Sequence, residues 1–229
     1  MHVPDGFLDA PTSLATGVVA AAAVAVSLRA ARRELDDRTA PMAGLVATFV
    51  FAAQMINFPV GAGTSGHLMG GALAAVLVGP WTAVLCLSVV LVVQALLMAD
   101  GGITAIGTNI SLIGIVTVAV GWGVFVLLRK VLPARTSIVA PAAAAGALLS
   151  VPVAALVFTG LFAIGGNAPV DLTALTATML GWHTVIGIGE AAVTGLVVAS
   201  VVAARPDLVH GARPLLVERV LETRAAVAP

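Results

Sequence analysis

The chain begins Met1-His2, and a second histidine, His67, closes the short run Gly63-Thr64-Ser65-Gly66-His67. A free amino terminus followed at once by histidine is a chelate. The Met1 amine, the backbone nitrogen of His2 and the near ring nitrogen of His2 bind one metal in two fused rings. One corner of a square of nitrogens is left, and a second imidazole could fill it. Square-planar nitrogen coordination suits Ni(II) or Cu(II), with Co(II) also accommodated. The chelate needs Met1 to stay in place. Its neighbour is a bulky histidine, which opposes removal of the initiator, and Met1 to Asp9 has neither the basic region nor the apolar run of a signal peptide.

These residues must be positioned by a membrane domain. Apolar residues make up 60 % of the 229 and charged residues 10 %, against about 25 % charged in soluble domains. A crossing helix needs roughly 20 mostly apolar residues. Candidate spans lie at 11–30, 41–57, 67–79, 81–98, 109–130, 138–164 and 180–204. The expected fold is therefore all-α, a polytopic transmembrane helical bundle of about seven spans, or six if the short third segment does not cross. One membrane domain fills the chain: residues 1–10 as a metal-binding segment, 11–204 as the bundle and 205–229 as a cytoplasmic tail.

The basic residues set the orientation. All 11 fall in three places: Arg29, Arg32, Arg33 and Arg38; Arg129, Lys130 and Arg135; and Arg205, Arg213, Arg219 and Arg224. With an odd number of spans these share one side, which the positive-inside rule makes cytoplasmic. The amino terminus is then outside, together with 58–66, 99–108 and 165–179. Those outer segments carry Asp5, Asp9, Asp100 and Asp171 but no Lys or Arg, a balance that concentrates cations at the surface. Met1, His2 and His67 fall on this same outer face, as a shared site requires.

The outer loops FPVGAGTSGH (58–67) and DGGITAIGTN (100–109) are rich in glycine. Thr64, Ser65 and Asn109, with Thr104 and Thr108, are candidates to orient an imidazole from a second layer, though ordinary turn chemistry explains each one singly. Stripes of small residues at a spacing of four (Gly17-Ala21-Ala25, Ala142-Gly146-Ser150 and Gly187-Ala191-Gly195-Ala199) suit helix packing in lipid. Cys86, the single cysteine, sits inside an apolar run and can form no disulfide within the chain. His183 and Glu190 lie seven apart on the last span and share a helical face. Ionisable groups at such depth are costly and usually functional, so both are candidates for a metal or structural role. His210 belongs to the tail and is expected in solvent.

Four stretches resemble one family: MHVPDGFLD at 1–9, GTSGHLMGGALAAVLVGPW at 63–81, VQALLMADGGITAIGTN at 93–109 and GWHTVIGIGEA at 181–191. Together they resemble the CbiM/NikM family, the substrate-binding membrane subunits of energy-coupling-factor transporters for cobalt and nickel. The resemblance runs over most of the chain. One departure is Gly61-Ala62, where many relatives have Pro-Gly. The resemblance implies that the Met1 amine, the backbone and ring nitrogens of His2 and the ring of His67 hold Ni(II) or Co(II) as substrate, with no catalytic cofactor. It also implies partners: a transmembrane coupling subunit, cytoplasmic ATPase subunits and often a small accessory membrane subunit, within the cell membrane and without nucleic acid. The sequence has no phosphate-binding loop of the Walker type, and Lys130 is its single lysine, so ATP hydrolysis would fall to another subunit. A self-sufficient secondary transporter or channel, with Glu190 coupling protons, is the alternative. An enzyme is disfavoured: no HExxH pair and no converging serine, histidine and carboxylate are present.

Overall fold

A computed structural model describes residues 1–36, 39–61 and 64–216, the side chains of Gly61 and Thr64 excepted. Five helices are long and apolar enough to cross a membrane. These are α1 (Ala10–Ala30), α4 (Pro80–Leu97), α5 (Ile106–Val131), α6 (Val139–Gly165) and α7 (Leu172–Ala204). Two shorter helices complete the bundle, α2 (Ala40–Gln54) and α3 (Gly71–Val78). The chain is thus a multi-pass membrane protein.

The helix starts follow local chemistry. Asp9 caps α1 by accepting from the Thr12 N–H at 2.8 Å, and Asp171 caps α7 by accepting from the Ala174 N–H at 2.8 Å. Proline stands in the first turn of α1, α2 and α4, where its missing N–H costs no helical bond. Helix α4 begins after Gly79, whose φ of 96° suits glycine. There Glu34 accepts from the backbone of Trp81 and Thr82 and from the Thr82 hydroxyl.

Two elements differ from the sequence expectation. The outer run 58–66 is a hairpin, β1 (Phe58–Gly61) against β2 (Thr64–Gly66), with Phe58 opposite Gly66 and Pro59 opposite Ser65. It adds two short strands to a fold expected to be all helix. The apolar segment 67–79 is helical only from Gly71. Residues 67–70 are irregular, and Gly70 has φ 78°, a left-handed conformation that stops a helix from extending toward His67.

Alternate ends of the helices gather on two opposite faces. On one, the Asp9 N–H donates to Gly165 O at 2.7 Å, the Asn167 N–H to Phe7 O at 3.0 Å and the Gly102 N–H to Val3 O at 2.9 Å. On the other, an Arg213 N–H donates to Glu34 O at 3.1 Å and an Arg129 N–H to Gly211 O at 3.3 Å. The tail is ordered as far as it is described: Val209, Ala212 and Leu215 are buried in the core beneath α3. His210, expected in solvent, is half-buried with its ring 5.6 Å from Trp122. Residues 217–229, with Arg219 and Arg224, lie outside the described residues, as does Arg38.

The core contains little but small and aliphatic side chains. Helix α3 is buried along its whole length. Gly71 and Gly121 let it approach α5 so closely that a Cβ at Gly71 would overlap Thr117 and one at Gly121 would overlap Ala72. Pro152 inside α6 removes the N–H that Leu148 O would accept, and Gly187 of α7 lies against that carbonyl. Of the three small-residue stripes, Ala142-Gly146-Ser150 is buried throughout. On α1 the buried side carries Thr12, Thr16, Ala20 and Ser27, while Ala21 and Ala25 are exposed; on α7, Ala199 is exposed.

Candidate metal centre

The amino-terminal segment folds back into the bundle instead of trailing from it. Met1 and Val3 have no exposed surface, and Phe7 is buried against Phe158 and Phe162. Asn109 fixes the strand: its Oδ1 accepts from the Val3 N–H at 2.7 Å and its Nδ2 donates to Val3 O at 3.1 Å. Asp5 accepts from the Thr104 N–H at 2.7 Å and from the Thr104 hydroxyl. These Thr104 bonds hold the Asp5 carboxyl below its ordinary range.

This clasp brings the Met1 amine onto Nε2 of His67, 66 positions away in sequence. The His2 ring stacks on the His67 ring, with centroids 4.3 Å apart and planes inclined by 22°. Nδ1 of His67 donates to Leu68 O at 2.8 Å. A carbonyl only accepts, so the proton is on Nδ1 and Nε2 offers a lone pair. Nε2 of His2 faces Gln94 Oε1 at 3.2 Å, and Nδ1 of His2 lies 3.0 Å from Asp100 Oδ1. Asn57 donates to the other carboxylate oxygen of Asp100 at 3.0 Å. Ser65 Oγ is 3.5 Å from the His2 N–H, the backbone group that a terminal chelate must deprotonate.

Burial prepares these nitrogens. It pushes the Met1 amine from 8.0 down to about 4, against the opposing pull of Asp100 and Glu190. Burial also lowers His2 despite the Asp100 carboxylate. The His2 contact in turn draws Asp100 below its usual range. At neutral pH the amine is therefore neutral, and the bond from Nδ1 of His67 to Leu68 O leaves its Nε2 lone pair available.

Of the residues singled out in the sequence, Met1, His2 and His67 converge, Ser65 touches His2, and Asn109 acts one residue away, on Val3. The Thr64 side chain lies outside the described residues. Thr108 bonds Thr16 at 2.7 Å, away from the imidazoles. Glu190 accepts from the N–H groups of Met69 and Gly70 at 2.7 and 2.9 Å, so it holds the turn that carries His67 into α3. His183 is buried on the same face of α7. Asp100, Gln94 and Gln54 were not foreseen as neighbours of the site. Gln54 donates to Met69 O at 2.9 Å, and the available signal was that each is a lone polar group in or beside an apolar run. Among the described residues, no three His, Cys, Asp or Glu side chains are grouped to hold one metal ion. Any metal at Met1 must draw on main-chain nitrogen.

The family described as the cobalt uptake substrate-specific transmembrane region, CbiM, matches residues 2–208. A Haloquadratum walsbyi protein named for metal transport is 38 % identical over 91 % of this chain and 93 % of its own length. The fused nickel transport protein NikMN of Rhodobacter capsulatus is 35 % identical over 99 % of this chain and 69 % of its own length. A solved structure described as a truncated transition metal transporter superposes with a TM-score of 0.82 at 29 % identity, covering 89 % of this chain and 99 % of that one.

Proposed function

The chain belongs to the CbiM family of cobalt-uptake transmembrane proteins, and from that premise we propose that it captures Ni(II) or Co(II) as the substrate-binding subunit of an energy-coupling-factor transporter. The observation that carries this reading is the buried meeting of the Met1 amine, His2 and Nε2 of His67. The metal takes the Met1 amine, the His2 amide nitrogen, Nδ1 of His2 and Nε2 of His67. In the metal-free arrangement Nδ1 of His2 faces Asp100, so binding turns it from the carboxylate to the ion, and the Asp100 charge stays beside the cation. A planar nitrogen field disfavours Mg(II) and Ca(II), which take oxygen, and Zn(II), which prefers a tetrahedron. The relatives named for nickel and for cobalt transport support both ions as substrates.

The amino terminus faces outside and the tail the cytoplasm, because the described basic residues cluster at the end opposite the metal centre. Helix α2 and the composite of residues 64–78 complete seven crossings. The third is half irregular, and its buried backbone is satisfied by Glu190 and Gln54, as non-helical backbone at membrane depth requires. With no phosphate loop in the sequence, energy comes from cytoplasmic ATPases through a transmembrane coupling subunit, with a small accessory membrane subunit assisting. The test is reconstitution in liposomes: Ni(II) uptake over many turnovers is expected only with the ATPase partners and ATP. Rapid uptake by this chain alone, driven by a proton gradient, would contradict it.

A further inference from the structure

Seven residues of α7 are buried, spaced three or four apart: Leu175, Met179, His183, Gly187, Glu190, Thr194 and Val198. His183 is the unexplained one. Its Nδ1 lies 2.8 Å from Met179 O, so Nδ1 carries the proton and Nε2 is a bare lone pair. That Nε2 is buried with no hydrogen-bond partner among the described residues. His67 has the same preparation, its Nδ1 donating to Leu68 O and its Nε2 presented to the metal centre. A backbone carbonyl that fixes one ring nitrogen and frees the other is how proteins present metal-binding imidazoles. As packing alone, an orphaned polar atom in this place is worse than an apolar side chain of similar size.

Position separates His183 from the capture set. It lies within electrostatic reach of both the Met1 amine and His67, yet it does not join His2 and His67 in a three-membered group that could hold one ion. Two helical turns on, roughly 10 Å along α7, stands Glu190. The groove that reaches His67 from between α2 and α7 has no polar lining besides His67 and Glu190, so it offers an ion no sideways route.

We propose that Nε2 of His183 is a transfer ligand for the divalent metal, receiving it as it leaves the four-nitrogen site on its way inward. The exchange is redox-neutral: the four bonds from the metal to the Met1 amine, the His2 amide nitrogen, Nδ1 of His2 and Nε2 of His67 break, one to Nε2 of His183 and others to water form, and the His2 amide nitrogen takes back from bulk solvent the proton released there on capture. This step rests on the capture site proposed above.

The test pairs two readouts on the full-length protein. Ni(II) binding is measured by calorimetry and Ni(II) uptake in cells carrying the partner subunits, for wild type, His183→Leu, His183→Gln and His67→Ala. Both variants at 183 are expected to bind Ni(II) within about threefold of wild type and to lose uptake by about tenfold or more. The unfolding temperature of His183→Leu should equal or exceed that of wild type, since an unsatisfied buried atom is removed. Unchanged uptake in both variants would overturn the proposal. So would a loss of affinity as large as that of His67→Ala, which would place His183 in the capture set, or a lowered unfolding temperature in both, which would make it structural. Binding by His67→Ala as tight as wild type would overturn the capture site itself, and the transfer step with it.

Discussion

The Met1 amine and Nε2 of His67 present lone pairs before any metal arrives, whereas Nδ1 of His2 faces the Asp100 carboxylate and gives up its proton to Nε2, which faces Gln94 Oε1, when a metal binds. Burial keeps the amine neutral down to about pH 4 and lowers the His2 imidazole. The remaining proton to be expelled is that of the His2 amide. One proton should therefore leave per Ni(II) near pH 7, and affinity should fall about tenfold for each pH unit lost between 8 and 6. Titrations in buffers of different ionisation enthalpy check this; no proton release would contradict it. Asp100, 3.0 Å from Nδ1 of His2, sets a negative charge beside the bound cation, so Asp100→Asn should weaken binding by about tenfold, read by the same calorimetry. The meeting of the Met1 amine, His2 and His67 was legible in sequence because the first two are adjacent and His67 ends a glycine-rich outer loop. Asp100 and Gln94 were not legible as partners of His2, since they meet it only through the placement of α4.

Helix α3 links the proposed metal centre to the opposite face, and both of its ends depend on carboxylates borne by other elements. Glu190 satisfies Met69 and Gly70 at its start, and Glu34 caps α4 immediately after it. Glu190→Gln keeps one acceptor oxygen and turns the other into a donor facing an N–H. It should cost about 1–3 kcal/mol and weaken Ni(II) binding, because the turn that sets His67 loosens. At Gly71 an added Cβ meets Thr117 Oγ1, so Gly71→Ala should lower stability by about 1–3 kcal/mol. Gly123→Ala, where a Cβ meets nothing within 4 Å, is the neutral control in the same thermal unfolding series. The five long helices were legible because their apolar runs are long, and the starts of α1, α4 and α7 carry Asp or Pro. The third segment was not, since small and apolar residues read as helix while Gly70 at φ 78° breaks it. The hairpin was hidden because Phe58 to Gly66 has the composition of a turn. The titration of the amine also acts at this scale. Its value is lower folded than unfolded, so the unfolded chain binds the extra proton between pH 4 and 8, and docking of the amino-terminal segment strengthens as pH rises through that window. Amide exchange of residues 1–9 should slow from pH 5 to pH 8 after correction for intrinsic rates; faster corrected exchange at pH 8 would contradict the buried neutral amine.

At the scale of the whole molecule, the two faces have separate chemistry. One gathers Asp5, Asp9, Asp100 and the proposed metal centre, the other the described arginines and Lys130. In a Cys86→Ser background, a cysteine at exposed Pro169 should react with a membrane-impermeant maleimide in intact cells, and one at exposed Ala134 should not; the reverse pattern would invert the proposed orientation. The clustering of the described basic residues at one end was legible because they all follow odd-numbered apolar runs of the sequence. The docking of the tail under α3 was not, because Val209, Ala212 and Leu215 are too sparse to signal a core contact. The central claim is the chelate at the amino terminus. It is tested most directly by calorimetric titration of untagged protein with Ni(II) and Co(II), beside His2→Ala, His67→Ala and a variant with one residue inserted before Met1. The account predicts tight one-to-one binding that all three changes abolish. Binding that survives the insertion unchanged would contradict it and place the metal elsewhere in the bundle.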